Sequence, residues 1–127
     1  MIRFIIEHRA VAKGRPRFSR GHTYTPKTTV DFEKLVLAEF KNYIKDYVPT
    51  EKAISLTVNF YFKLPKKTKF KVGDPVTKRP DLDNLVKAVS DSLNGHAYKD
   101  DSQIAEIVTR KRYAVEDFIE IAIYELG

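Results

Sequence analysis

Ala53-Ile-Ser-Leu-Thr-Val-Asn-Phe-Tyr-Phe-Lys63 is the stretch on which the fold turns. Ile54, Leu56, Val58, Phe60 and Phe62 recur at every second position, so in an extended chain all five leave from one face. A run this rich in β-branched and aromatic residues predicts a strand packed against a core. Upstream, Thr25-Pro26 predicts a helix start, with Thr25 as N-cap and Pro26 at the first helical position. Val30, Leu35, Leu37, Ala38 and Phe40 carry that helix to about Lys45, short of Pro49, which a helix interior tolerates poorly. Ile2 to Glu7 reads as a first strand, and Lys13-Gly14-Arg15-Pro16-Arg17-Phe18 as a loop broken by Gly and Pro.

Downstream, residues 64–80 hold Pro65, Gly73, Pro75 and Pro80 and few apolar side chains. A loop of that length inside a small domain is usually functional or disordered. A second helix is expected over Leu82–Leu93, stopped by Asn94-Gly95. Two strands follow, about Gln103–Tyr113 and Phe118–Leu126, joined by a turn at Val115–Asp117. The order β-α-β-α-β-β predicts one α+β domain over residues 1–127, with both helices against a mixed sheet.

Composition narrows the function classes. With no Cys, a disulfide scaffold, a thiolate zinc site and a cysteine nucleophile are excluded. His8, His22 and His96 have no metal-ligand spacing, and His96 is read as a turn residue. The N-terminus turns charged before a signal-peptide apolar stretch could form, and no window approaches the ~18 apolar residues of a membrane span, so a soluble cytoplasmic protein is expected. Net charge is +6, unevenly spread. Residues 9–20 carry five basic side chains and no acid, and residues 63–79 seven basic and one acid, so everything else is net acidic. Two basic segments suit a polyanion ligand, although solvated lysines alone would give the same pattern.

The chemistry is concentrated in Lys78-Arg-Pro-Asp-Leu-Asp-Asn-Leu-Val-Lys87 and Tyr98-Lys-Asp-Asp-Ser-Gln103. At 100° per residue, Leu82, Leu85, Val86, Val89 and Leu93 form an apolar stripe, and Asp83, Asn84, Lys87 and Asp91 lie opposite. Asp81, at the N-cap, stands beside them. Asp100-Asp101, where the next strand begins, could supply a carboxylate from another direction. Magnesium takes hard oxygen ligands, usually one or two carboxylates with water and phosphate, and a nearby lysine stabilises developing charge on phosphorus. Capping and the helix dipole would also place aspartates here, and Asp83–Lys87 would make an ordinary surface pair. Asp91 is read as a structural partner of Lys87 or Asn94.

These residues resemble the RusA family of Holliday-junction resolvases. The family's ordered signature matches Arg79-Pro80-Asp81-Leu82-Asp83-Asn84, Lys87, Asp91-Ser92-Leu93-Asn94-Gly95 and Asp100-Asp101-Ser102-Gln103. Lys13-Gly14-Arg15-Pro16-Arg17-Phe18 and Tyr24-Thr25-Pro26 extend the likeness upstream, with Ala10, Val11 and Ala12 where many members carry prolines. The resemblance implies Asp81, Asp83 and Asp101 as metal ligands with Asp100 a further candidate, Lys87 as catalytic lysine, and Mg2+ as cofactor with Mn2+ able to substitute. It implies a homodimer on branched DNA, a four-way junction, in a bacterial or phage-encoded setting, with no membrane and no small-molecule substrate. Phosphate contacts are expected from Lys13, Arg15, Arg17, Arg20, Lys66, Lys67, Lys69, Lys78, Arg79 and Lys111, the last also readable as a plain strand lysine. Flaps, forks and a non-catalytic junction-binding role remain the alternatives.

Overall fold

In the computed structural model, which describes residues 1–127, the chain runs β1 (Ile2–Ile6), β2 (Arg17–Ser19), β3 (His22–Tyr24), α1 (Lys27–Tyr43), β4 (Ile54–Lys63), α2 (Leu82–Leu93), β5 (Ile104–Ala114) and β6 (Phe118–Glu125). A single 3-10 turn, Asp101–Gln103, precedes β5. The main sheet has the order β1-β6-β4-β5. β4 pairs antiparallel with β6 and parallel with β5, so the expected mixed sheet forms with β4 inside it. Parallel neighbours need a crossover, and α2 lies in that connection, between β4 and β5.

The alternation of 54–63 is realised: Ile54, Leu56, Val58, Phe60 and Phe62 are all buried. They meet Ile119, Ile121 and Ile123 of β6 and Ile2, Phe4 and Ile6 of β1 in one core. Each such side chain contributes about 1.5–3 kcal/mol by leaving water. On α1 the buried stripe is Thr29, Phe32, Val36 and Phe40, spaced three to four apart. Leu35 and Leu37 are half-buried flanks, and Ala38 is exposed. On α2, Leu85, Ala88, Val89, Ser92 and Leu93 are buried, with Leu82 and Val86 half-buried at the margin.

Three expectations need correction. Helix α1 begins one residue later than expected, with Pro26 at the N-cap and no side-chain cap bond, and it ends at Tyr43. The loop expected over 13–18 gives way at Arg17 to the β2–β3 hairpin, whose turn residues Arg20 and Gly21 both take positive φ (50° and 79°), the backbone that a two-residue hairpin turn demands. The 64–80 segment has no helix or strand but is firmly placed. Gly73 N donates to Tyr113 O, Tyr113 N to Asp74 O and Val76 N to Lys111 O, at 2.9–3.1 Å, so the segment lies along the free edge of β5. It covers backbone groups that an edge strand would leave unpaired, and Val76 enters the core.

Candidate active site

The helix α2 positions the first carboxylates. Asp81 stands at its N-cap in extended backbone, yet its side chain makes no cap bond. Capping therefore does not account for this aspartate. Asp83, two residues further, accepts one bond, from the Asn84 backbone N–H at 2.9 Å. Both are exposed, and neither has a cationic side chain within 4.0 Å.

The neighbouring pair Asp100–Asp101 divides its duties. Asp100 caps the 3-10 turn: its carboxylate accepts from Ser102 N at 3.0 Å while Gln103 Oε1 accepts from Asp100 N at 2.8 Å. The Ser102 hydrogen bond holds the Asp100 carboxyl below the usual carboxylate range. Gln103 Nε2 also donates to the carbonyls of Thr50 and Lys52, fastening this turn to the start of β4. The Asp101 side chain is left exposed with neither hydrogen bond nor ion pair.

Tyr98 ties the two halves together. It is fully buried and its hydroxyl donates to Ser90 O of α2 at 2.6 Å. Burial, then the negative charges of Asp101 and Asp91, drive its phenol well above the usual value, so Tyr98 stays a neutral donor. Asp101 thus follows, three residues on, a tyrosine bonded to α2. Nothing in the sequence singled out Tyr98, since a Tyr beyond a Gly turn has no distinctive pattern.

Asp91 is engaged elsewhere. Its Oδ2 lies 3.2 Å from Lys13 Nζ and 3.8 Å from Lys87 Nζ. Lys13 also donates to Glu33 of α1 at 2.9 Å. Expected as a phosphate contact, Lys13 is instead largely withdrawn from solvent and joins α1 to α2, with its own N–H on Asn84 O at 2.8 Å. Burial lowers its pKa, but its hydrogen bonds to Glu33 and Asp91 outweigh that, and the ammonium titrates above its usual value. Glu33 went unnoticed in the sequence because its partner is twenty residues away. Lys87 keeps an exposed head, and Asp91 gives it a direction without consuming it.

Lys111 also departs from expectation. The register Phe60↔Lys111, with Phe60 fully buried, turns it toward the helix-covered face of the sheet. There its ammonium donates to the carbonyls of Lys78 and Pro80, both at 2.8 Å. It holds the two carbonyls that lead into Asp81 and has little left for a phosphate. Arg15, Arg17, Arg20, Lys66, Lys67, Lys69, Lys78 and Arg79 are all exposed and form no ion pair, and Lys69 only overhangs the Phe70 ring, at 5.7 Å.

No three of the chain's His, Asp and Glu side chains are drawn into a cage that could hold a metal ion. The donor chemistry of Asp81, Asp83 and Asp101 nonetheless fits a hard divalent cation: oxygen atoms only, three uncompensated charges, open to water. Magnesium in particular is commonly held by one or two carboxylates completed by water and substrate phosphate, which requires no closed protein cage.

Comparison with known proteins finds likeness to DNA endonucleases. A family model described as "Endodeoxyribonuclease RusA" matches residues 7–124. A Bacillus subtilis (strain 168) protein, "Uncharacterized protein YqaN", is 34% identical over 99% of this chain and 97% of its own length. A Lactococcus phage r1t protein, "Crossover junction endodeoxyribonuclease rusA", is 33% identical over 68% of this chain and 65% of its own length.

Proposed function

The chain belongs to the RusA family of endodeoxyribonucleases, and from that premise we propose that it resolves four-way DNA junctions by paired symmetric nicks, acting as a magnesium-dependent homodimer in DNA recombination and repair in the bacterial or phage-infected cytoplasm. A two-fold dimer suits a substrate that needs two equivalent cuts. The observation that carries the reading is the set of three aspartates that neither cap a helix nor pair with a cation, in a chain otherwise rich in cations.

Asp81, Asp83 and Asp101 are the residues that would hold the cation. A divalent cation held there supplies Lewis-acid activation of water and charge neutralisation at phosphorus. Lys87, exposed and leaning on Asp91, would supply the ammonium that stabilises charge developing on the phosphate oxygens. Lys78 and Arg79, immediately before Asp81, would grip the phosphates flanking the cut, while Arg15, Arg17, Arg20 and the lysines of 64–71 extend the track. Such contacts fix position without reading sequence. Lys111 keeps the approach to Asp81 in shape from below.

The test is cleavage of labelled four-way junctions, flaps, forks and plain duplex by the wild-type protein, with magnesium, with manganese and with EDTA. The expected result is metal-dependent nicking of the junction at symmetric positions on two opposed strands. A preference for flaps or forks overturns the substrate and keeps the chemistry. Binding without cutting under every metal overturns the enzyme.

A further inference from the structure

The β2–β3 hairpin stands apart from the main sheet as a two-stranded unit, and all six of its strand residues are exposed. A hairpin with no third strand or helix to pack on is marginal in water. Its sequence is therefore chosen for something other than its own core. Phe18 is 72% exposed and Tyr24 48%. The pairs Arg17↔Tyr24 and Ser19↔His22 share one face, and Phe18↔Thr23 has the other. Phe18 thus projects with no apolar neighbour across the strand.

The surroundings are uniformly cationic. No acid occurs between Glu7 and Asp31, and Arg15, Arg17 and Arg20 are free of ion pairs. The stem is rooted beside the candidate active site: Lys13 N–H donates to Asn84 O, next to Asp83, and Gly14 N–H donates to Thr29 Oγ1 at 2.9 Å. Gly14 must be glycine for that close seat, because a Cβ there would stand 2.9 Å from Pro26 Cγ and 3.0 Å from Thr29 Oγ1. Phe18 is four residues beyond this anchor, a reach of at most ~14 Å.

A phenyl ring has no donor or acceptor, so it cannot read a base edge and can only stack or wedge. In continuous duplex the base faces are already occupied by their neighbours. Faces become available where stacking is interrupted, as it is at the crossing of a branched DNA. Resting on the reading of the chain as a branched-DNA nuclease, we propose that the β2–β3 hairpin is a branch-point probe. Phe18 wedges against the unstacked bases at the crossing, and Arg15, Arg17 and Arg20 hold the phosphates around it. The hairpin then supplies selectivity for branches, a task separate from the chemistry at the aspartates.

The experiment uses the full chain in EDTA, a four-way junction carrying 2-aminopurine beside the crossing, and the matching unbranched duplex. Wild type should raise the 2-aminopurine fluorescence on binding. Phe18→Ala should abolish that rise and lower junction affinity roughly 5- to 150-fold, the range for losing one aromatic stacking contact, with duplex affinity unchanged. Arg17→Ala should weaken junction and duplex alike. Phe18→Ala with the wild-type fluorescence rise and the wild-type ratio of junction to duplex affinity overturns the proposal and leaves the nuclease reading standing. A Phe18→Ala protein that sediments at half the wild-type mass assigns the ring to a protein–protein contact and also overturns it. Wild type that binds no branched DNA sinks the nuclease reading itself, a distinct result.

Discussion

Asp83 and Asp91 stand two turns apart on the polar side of one helix, and the molecule treats them in opposite ways. Asp91 is half-buried between Lys13 and Lys87. Asp83 is exposed and faces no cation at all. Asp101 and Asp81 share Asp83's condition, and Asp100, next to Asp101, is spent on a cap. The same residue type therefore serves two purposes within a few residues. A carboxylate already matched to a lysine holds elements together. One left unmatched in a protein of net charge +6 is available to an external cation.

Neutralising members of each set should separate the two purposes. Asp83→Asn, and likewise Asp81→Asn and Asp101→Asn, should lower single-turnover junction cleavage on the order of 10³-fold or more, with junction binding retained. A loss of less than tenfold in all three would return them to the class of surface aspartates.

Lys111→Met should have the next largest effect. It removes both donors from the carbonyls of Lys78 and Pro80, and loss of a supporting partner of this kind costs about 10- to 100-fold in activity. The readout that separates support from DNA contact is the slope of log affinity against log salt, which each phosphate contact steepens by about 0.9. The slope should not change for Lys111→Met, and Lys111→Arg should restore part of the rate. A slope shallower by about one would make Lys111 a phosphate contact after all.

Asp91→Asn should act on stability before chemistry. Lys13 would keep only Glu33, and a half-buried pair of this sort is worth about 1–2 kcal/mol, measured by urea unfolding, with cleavage reduced only a few-fold. The same network gives a pH signature. The Lys13 pKa is raised in the folded chain, so its contribution is complete below the unfolded lysine pKa and disappears as pH rises through the folded value. Stability should therefore fall along an alkaline limb that Lys13→Met lacks. The smallest effects should come from Arg15→Ala and Arg20→Ala, each a few-fold in affinity and about 0.9 in salt slope.

How much of this was legible beforehand follows from the range of the interactions involved. The strand 54–63 and the helix 82–93 were readable because their patterns are local: period two for one, a 3.6-residue stripe with an Asn-Gly stop for the other. The hairpin at 17–24 was missed because its strands have three residues each and its turn signal is a lone Gly21 after Arg20. The intramolecular partners of Lys13 and Lys111 were hidden for a related reason. A lysine in a basic run looks like a phosphate contact until Glu33, Asp91, Lys78 and Pro80 are brought to it by the fold. The aspartates at 81, 83 and 101 could be singled out in sequence, but that they lack partners is a property of tertiary structure alone.

The most direct measurement compares Asp83→Asn with Asp91→Asn in single-turnover cleavage of one four-way junction in magnesium, at protein concentrations that saturate binding. Cutting should be abolished in the first and stay within a few-fold of wild type in the second, whose urea midpoint is lowered. Equal losses in the two, or loss in Asp91→Asn with Asp83→Asn still cutting, would contradict the division of labour between free and paired carboxylates.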